Sequence, residues 1–158
     1  MSSGLCVGLI HAIDMVDPHT SISYAGDMVE RQVFEPLYWR VRGRAVPRLL
    51  AGPMTGVGGR FEAEIKPGVR FSDGSVLDAA QVVTSLRRCG QLPPGTEIEA
   101  KGNRLCVKWD APLEALHDTL AAPGTAIVKV SQGPGRERVI GTGPYRVNEE
   151  ASDARTLR

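Results

Sequence analysis

Residues 61–88, FEAEIKPGVRFSDGSVLDAAQVVTSLRR, decide the fold of this chain. The stretch opens with apolar and charged side chains in alternation, which is the pattern of a half-buried strand. Turns are predicted at 67–68 and 72–74, on either side of a short second strand. Asp78 then stands where a helix N-cap belongs, and Gln81 follows at the spacing of a capping box, ahead of an apolar helix face. The predicted order is therefore strand, turn, strand, turn and capped helix.

The segment KPGVRFSDGSVLDAAQVVTSLRR (66–88) resembles the most recognisable segment of the family 5 extracellular solute-binding proteins, the peptide, oligopeptide and nickel receptors of ABC importers. Members carry a strand ending in (R/K)-x-G-V-x-F-(S/H)-(D/N)-G and then T-A-x-D-V at the start of a helix. Asp78 and Gln81 depart from that pattern, yet exchanging acceptor and partner preserves the capping interaction. The matching positions are Lys66, Gly68, Val69, Phe71, Ser72, Asp73, Gly74, Ala79 and Val82.

Four more motifs match the same family in the same order along the chain. They are VDPH (16–19), VFEPL (33–37), VPRLLA (46–51) and VIGTGPYRV (139–147). They resemble the family's L-(D/N)-P-H turn, its (V/I)-(Y/F)-E-P-L segment, its x-P-x-L-A edge and its P-x-G-T-G-P-(Y/F)-x-(V/L) segment. The loop at 52–59 departs from the family's usual W-x-x-(S/N)-x-D-G, since it lacks the aromatic residue and the acid. Five motifs in register argue against a chance match.

Periodicity and turn signals predict further elements outside residues 61–88. They are a buried strand at 5–13, a helix running from 27 towards 41 that Pro36 bends or ends, a hairpin at 97–109, a helix at 113–120 with Pro112 at its first position, and a strand at 126–130. We interpret 33–37 as packing and His117 as a solvated surface residue. Gly141 and Gly143 predict a tight backbone reversal, across which Tyr145 packs.

The resemblance implies a mixed α/β (α+β) chain with part of the class II periplasmic-binding-protein fold. On this interpretation the chain contains a first-lobe segment and a small subdomain, and the second lobe is absent. The predicted divisions are a first-lobe segment at 1–50, a small α+β subdomain at 51–138, a return to the first lobe at 139–150, and a frayed tail at 151–158.

Composition and charge argue against several kinds of partner. The 158 residues are 42% hydrophobic and 23% charged with a net charge of +1, which gives no basis for nucleic-acid binding. No apolar run reaches 18 residues, so no membrane span is predicted. The start of the chain shows neither the basic and apolar regions of a signal peptide nor a lipoprotein pattern before Cys6.

The three cysteines are an odd number, and their redox state is left open. Cys6 and Cys106 lie in apolar, strand-like runs, so buried free thiols are expected there, and a bridge from Cys89 to one of them is the alternative. The sequence has no paired carboxylates, no Cys–His arrangement and no metal-ligand spacing, so we expect no catalytic residues, no metal and no cofactor.

The resemblance implies a solute-binding component of an ABC transporter, with a peptide as the expected solute and an ABC permease as the partner. It implies that the ligand cleft lies near His19, Tyr24 and Tyr145, although His19 is interpreted as a structural turn residue rather than a catalyst. The expected location is extracytoplasmic. The alternative is a stand-alone interaction or scaffold module without a transport role, cytoplasmic if the chain is naturally this short, and self-association is left open.

Overall fold

The computed structural model describes residues 16–21, 24–133 and 136–147. The helices are α1 (Tyr24–Val33), α2 (Ala79–Cys89) and α3 (Leu113–Thr119), with a 3-10 turn at Pro123–Thr125. The strands are β1 (Tyr38–Val41), β2 (Arg44–Pro47), β3 (Thr55–Val57), β4 (Arg60–Glu64), β5 (Glu97–Lys101), β6 (Arg104–Lys108), β7 (Lys129–Gly133) and β8 (Arg136–Ile140). The predicted strand at 5–13 and the tail at 151–158 lie outside the described residues.

A four-stranded antiparallel sheet in the order β3-β4-β6-β5 is the largest sheet of the described chain. The alternation that predicts β4 is confirmed, because Phe61 and Ala63 are buried whereas the glutamates between and after them are exposed. Strands β5 and β6 form the predicted hairpin, whose turn contains Gly102 in the left-handed region. The buried face of this sheet and α2 belong to one continuous core, so the central segment organises that core.

The capping box predicted for α2 is confirmed atom by atom. Asp78 Oδ1 accepts a 2.8 Å hydrogen bond from the backbone N–H of Gln81, and Gln81 Oε1 accepts one from the backbone N–H of Asp78 at 3.1 Å. Gly90 follows the helix with φ at 64°, a conformation in which a side chain is disfavoured. Both ends of α2 are therefore fixed by the residues at those positions.

Of the two predicted effects of Pro36 on the first helix, the structure shows the ending and not a bend, and the helix starts at Tyr24 rather than at residue 27. Helix α1 ends at Val33, and β1 begins at Tyr38. The apolar residues between them, Phe34 and Leu37, are buried although they are not helical. Pro36 has no N–H and disfavours helical backbone at Glu35. Glu35 instead forms a β-bridge with Ile127, whose N–H donates to the Glu35 carbonyl at 2.9 Å.

The later elements are confirmed with small shifts. Helix α3 spans Leu113–Thr119, and Pro112 is its N-cap rather than its first helical residue. The strand predicted at 126–130 begins later, at Lys129, because Ala126 caps the 3-10 turn before it.

Two side chains lie in surroundings that differ from those the sequence predicts. The prediction that His117 is a solvated surface residue is wrong, since its ring stacks on Tyr38 with the centroids 4.5 Å apart. The Nε2 atom of His117 is buried and has no hydrogen-bond partner in the described part of the chain. Cys89 is buried and free, which contradicts the alternative of a Cys89 bridge, and Cys106 is a free, partly exposed thiol.

Candidate functional site

The three residues that the resemblance places near a ligand cleft lie on helix α1 or are tied to its ends. His19 lies in the turn before the helix, and Tyr24 is its first residue. The backbone N–H of Tyr145 donates to the carbonyl of Gln32, close to the other end of the helix. Eight residues at 1.5 Å per residue put roughly 12 Å between Tyr24 and Gln32. The His19 ring contacts the carbonyl of Ala126, which belongs to the same apolar cluster as Val33. His19 and Tyr145 are therefore tied to the C-terminal end of α1, while Tyr24 lies at its start.

The VDPH turn is held to α2 by a bidentate ion pair. Arg88 donates to both carboxylate oxygens of Asp17, at 3.1 and 2.6 Å, and the Asp17 side chain is only 8% exposed. The backbone N–H of His19 donates to the same carboxylate at 3.0 Å. Such a two-point contact fixes orientation as well as distance, so the turn is held rigidly against α2.

Both ring nitrogens of His19 have partners. Arg88 lies 2.8 Å from Nδ1, and because a guanidinium can only donate, Nδ1 accepts. The proton of the neutral ring is then on Nε2, which donates to the carbonyl of Ala126 at 2.8 Å. The ring thus bridges α2 and the segment that leads to β7. Because both nitrogens are engaged, the ring holds the turn in place and leaves no nitrogen for a metal.

The pKa values of this cluster follow from burial and from Arg88. Burial alone would raise the pKa of Asp17, but the hydrogen bonds from Arg88 and from the His19 backbone hold it below its usual value. Burial lowers the pKa of His19, and the adjacent Arg88 charge lowers it further. Asp17 is therefore ionised and His19 neutral at pH 7.

A second carboxyl group is buried on α1. Glu30 is 4% exposed, and its Oε1 has no hydrogen-bond partner in the described residues. Burial raises the pKa of Glu30, and the nearby carboxylates of Asp27 and Asp17 raise it further. The sequence gives little sign of this residue, because a glutamate in a helix is usually on the solvated face.

The GTGP segment packs directly against the end of α1. Gly143 N–H donates to the carbonyl of Val33 at 2.9 Å, and the carbonyl of Gly141 accepts from Ser72 N–H at 2.9 Å. A Cβ atom on Gly143 would lie 2.5 Å from the Gln32 carbonyl oxygen, and one on Gly141 would overlap the Val33 carbonyl. Neither glycine has φ in the left-handed region. The close approach of the α1 backbone, and not a backbone reversal, therefore explains why both positions are glycine.

The prediction that Tyr145 packs across this segment is wrong. Its side chain is 62% exposed, while its backbone is fixed to α1. An aromatic ring that is held at its backbone and open to solvent has the amphipathic surface that ligand sites commonly use.

The sequence gives no indication of the role of Glu35, which the packing interpretation of residues 33–37 omits. Its carboxylate is buried at 3% exposure and accepts hydrogen bonds from Arg48 Nε at 2.6 Å and from Thr142 Oγ1 at 2.8 Å. The signal that could have identified it is an acidic residue inside an apolar run that precedes a proline. This carboxylate joins Arg48, the residue after β2, to the GTGP segment.

The predicted turn at 72–74 is confirmed and carries an ion pair. Asp73 Oδ1 accepts from the N–H of Ser75 at 2.9 Å, and Lys129 Nζ donates to Asp73 Oδ2 at 2.7 Å. These hydrogen bonds from Lys129 and Ser75 lower the pKa of Asp73 to about 2. The turn is thereby tied to the first residue of β7.

A depression of about 1180 Å³ lies beside the four-stranded sheet and the segment 90–96 that follows α2. The outer sheet face contributes charged residues to it, including the ion pairs Lys108–Glu97 and Lys101–Glu99. A ligand pocket usually combines apolar walls with a few converging polar groups. Paired charges in cross-strand rows are typical of a solvated sheet face, so we do not place the candidate site there.

The described residues contain neither a metal-binding cluster nor a membrane-spanning helix. Residues 16–21, 24–133 and 136–147 contain no group of three His, Cys, Asp or Glu side chains that could hold a metal ion. None of the helices within those ranges has the length and apolar character that a bilayer span requires.

Comparisons with solved structures find the same fold in an ABC transporter protein and in two binding proteins. A nickel ABC transporter protein from Bacillus halodurans superposes with a TM-score of 0.72 at 22% identity, over 87% of this chain and 30% of that one. The periplasmic murein tripeptide binding protein MppA, in its unliganded open form, gives 0.70 at 18% identity, over 86% and 33%. A substrate-binding protein from Sinorhizobium meliloti gives 0.70 at 23% identity, over 85% and 31%.

These comparisons confirm that the chain has the fold of part of a periplasmic binding protein. The chain spans about 30% of the length of the first of these proteins. No protein-family model matches the sequence. No curated protein matches it either.

Proposed function

We propose that this chain forms one wall of the solute site in an extracytoplasmic solute-binding protein of an ABC importer, with a peptide as the solute and an ABC permease as the partner. The observation that supports this most is the superposition of most of the chain on about 30% of a nickel-transporter protein and 33% of a tripeptide-binding protein. The family motifs support it as well, because hydrogen bonds between the motif segments hold them rigidly together.

Four of the motif segments take part in hydrogen bonds around α1 and α2. The turn at 16–19 is bonded to Arg88, Glu35 is bonded to Thr142, and the N–H groups of Gly143 and Tyr145 donate to the last turn of α1. A site for a small ligand needs such preorganised backbone, because ordering it on binding would reduce the affinity.

Within this wall we assign different parts to the three candidate residues. Tyr145 is the one that we propose contacts the solute through its exposed ring, which can pack on a peptide group or side chain while its hydroxyl remains solvated. His19 acts as a positioning residue, because both of its ring nitrogens are engaged with protein atoms. Tyr24, at the first turn of α1, is the third proposed contact.

One wall alone should bind weakly. Receptors of this kind bury a ligand between two lobes by closing about a hinge, and the closure is driven by contacts on both sides. With contacts on one side only, the cost of immobilising the ligand is the same while the compensating contacts are fewer. We therefore expect millimolar affinity for the isolated chain, and the test has to detect weak binding.

The test is a ¹⁵N–¹H correlation titration of the chain with trialanine and, separately, with the nickel–bis-histidine complex. We expect trialanine to shift the amide resonances of residues 16–21 and 141–147. Tyr145→Ala should remove most of those shifts, and Val57→Ala, which changes an exposed residue of β3, should leave them unchanged.

The other results separate the alternatives. Shifts of the same amides with the nickel complex, and none with trialanine, would mean that the wall binds a metal chelate and not a peptide. An absence of shifts with both probes at high millimolar concentration would contradict the proposal and favour the interaction or scaffold module.

A further inference from the structure

The β1–β2 hairpin presents an apolar surface that the core does not use. Trp39, Val41 and Val46 are 40, 49 and 43% exposed. Trp39 lies directly opposite Val46 in the antiparallel register, and Val41 is two residues along the same strand, so all three project from one face. The opposite face is the packed one, because Tyr38 is fully buried and Ala45 packs against the core. We call this exposed face the Trp39 face.

The same hairpin is strongly basic. Residues 38–48 carry four arginines and no acidic residue. Arg40 pairs with Asp118 at 2.8 Å and Arg48 with Glu35, so two of the four charges are offset. Arg42 and Arg44, at the tip, form no ion pair within the described part of the chain. The Trp39 face therefore ends in two uncompensated positive charges.

The tip has further features that favour an external role. Arg42 occupies the left-handed region with φ at 50°, and Gly43 follows at 79°. Glycine or asparagine is the residue that such a two-residue turn prefers, so arginine at this position is not explained by the turn itself. The Arg48 guanidinium lies 4.8 Å from the centre of the Trp39 ring, which keeps a cation on the apolar face.

We propose that the Trp39 face docks on an anionic phospholipid surface, with the indole and the two valines in the interfacial layer and Arg42 and Arg44 among the headgroups. Tryptophan and arginine are the residues that membrane interfaces favour, because each combines an apolar or delocalised body with hydrogen-bond donors. Each arginine near an anionic leaflet is attracted by its negative surface potential, and partial burial of apolar side chains adds to this.

Two other occupants fit the hairpin less well. Three half-exposed side chains present far less area than the roughly 800 Å² per partner of a stable protein interface. A second copy of the chain in a two-fold arrangement would bring Arg42 and Arg44 close to the same residues of its partner, and like charges in contact are repulsive. A lipid surface needs only a small apolar insertion when charge assists it.

The test is sedimentation of the chain with vesicles of phosphatidylglycerol and phosphatidylcholine in equal parts, and with vesicles of phosphatidylcholine alone. We expect binding to the anionic vesicles only. The Arg42→Gln/Arg44→Gln double variant should partition about 25-fold less, at about fivefold per arginine. Arg60→Gln/Lys66→Gln is the matched control, because it removes two positive charges from exposed sites away from the hairpin.

Tryptophan fluorescence reports whether the apolar face inserts. The other tryptophan, Trp109, is buried at 6% exposure, so a blue shift on binding would come from Trp39 and should be absent in Trp39→Phe. The proposal is overturned by equal losses in the two double variants, by equal binding to neutral vesicles, or by sedimentation without a blue shift. Binding to polyglutamate that is as tight as binding to anionic vesicles would point to an acidic protein instead.

Discussion

Thr142 donates a 2.8 Å hydrogen bond to Glu35, across 107 residues of sequence. The two residues belong to two separate family motifs, and their contact joins the end of α1 to the segment that returns along it. The Glu35 carboxylate also accepts from Arg48, so one buried acid connects three parts of the chain. A buried charged group of this kind is stabilised only while its hydrogen bonds are complete.

Replacing Thr142 by valine should destabilise the chain by about 1–3 kcal/mol, because the Oε2 atom of Glu35 would be left buried without its donor. Thr142→Ser keeps the hydroxyl and should lose less than half of that amount. The free energy of unfolding from urea titration measures both variants. A loss in Thr142→Ser with no loss in Thr142→Val would show that the methyl group, and not the hydrogen bond, is what matters.

Alanine at Gly143 should destabilise the chain by roughly 2–3 kcal/mol, because the new Cβ would press against backbone atoms of Gln32 and Val33 that cannot rotate away. Gly52→Ala is the control, since a Cβ there meets no atom within 4 Å and φ is not in the left-handed region. That change should stay within about 0.5 kcal/mol. Thermal melts of the two variants that coincide would refute the close-approach explanation of the GTGP glycines.

Removing the α2 cap with Asp78→Ala should cost about 1 kcal/mol, because the N–H of Gln81 would lose its acceptor at the helix start. Asp78→Asn retains a side-chain oxygen at the same place and should be nearly neutral. Urea unfolding again distinguishes them. A loss of equal size in Asp78→Asn would mean that the charge of Asp78, rather than its hydrogen bond, stabilises the helix.

The sequence predicts best where the structure is determined locally. The alternation in β4, the capping box of α2 and the β5–β6 hairpin each depend on residues within a few positions of one another, and each is found. The end of α1 could not be predicted in this way. Apolar spacing from α1 onwards fits a helix, but Pro36 and the bridge from Glu35 to Ile127 end it at Val33.

The contacts that build the candidate site are long-range and could not be predicted from periodicity. Arg88 reaches Asp17 across 71 residues, and nothing in the helical pattern of α2 distinguishes Arg88 from a solvated arginine. The family motifs identify the segments that form the candidate site, but they do not show which contacts each motif residue makes. Gly143 is a clear example, because its motif suggests a turn whereas the structure requires it for close packing on Val33.

His117 gives a prediction for the pH dependence of stability. Burial lowers its pKa from the ordinary value of 6.5, although the charges of Glu114 and Asp118 act in the opposite direction. Below pH 6.5 the unfolded chain therefore binds more protons than the folded one at this residue, and stability falls as the pH falls. Burial lowers the pKa of His19 as well, so both histidines contribute to a loss of stability on the acid side of neutrality.

His117→Phe should reduce that loss and leave the part that belongs to His19. It should also raise stability at pH 7 by about 1 kcal/mol, because phenylalanine keeps the stacking on Tyr38 and removes a buried nitrogen that has no partner in the described chain. His117→Ala removes the same titration but also the stacked ring, so it should show the same weaker pH dependence with lower stability throughout. Urea unfolding between pH 7.5 and pH 5 measures both effects. If the wild-type chain and both variants lose stability equally over that range, His117 does not titrate as its burial predicts.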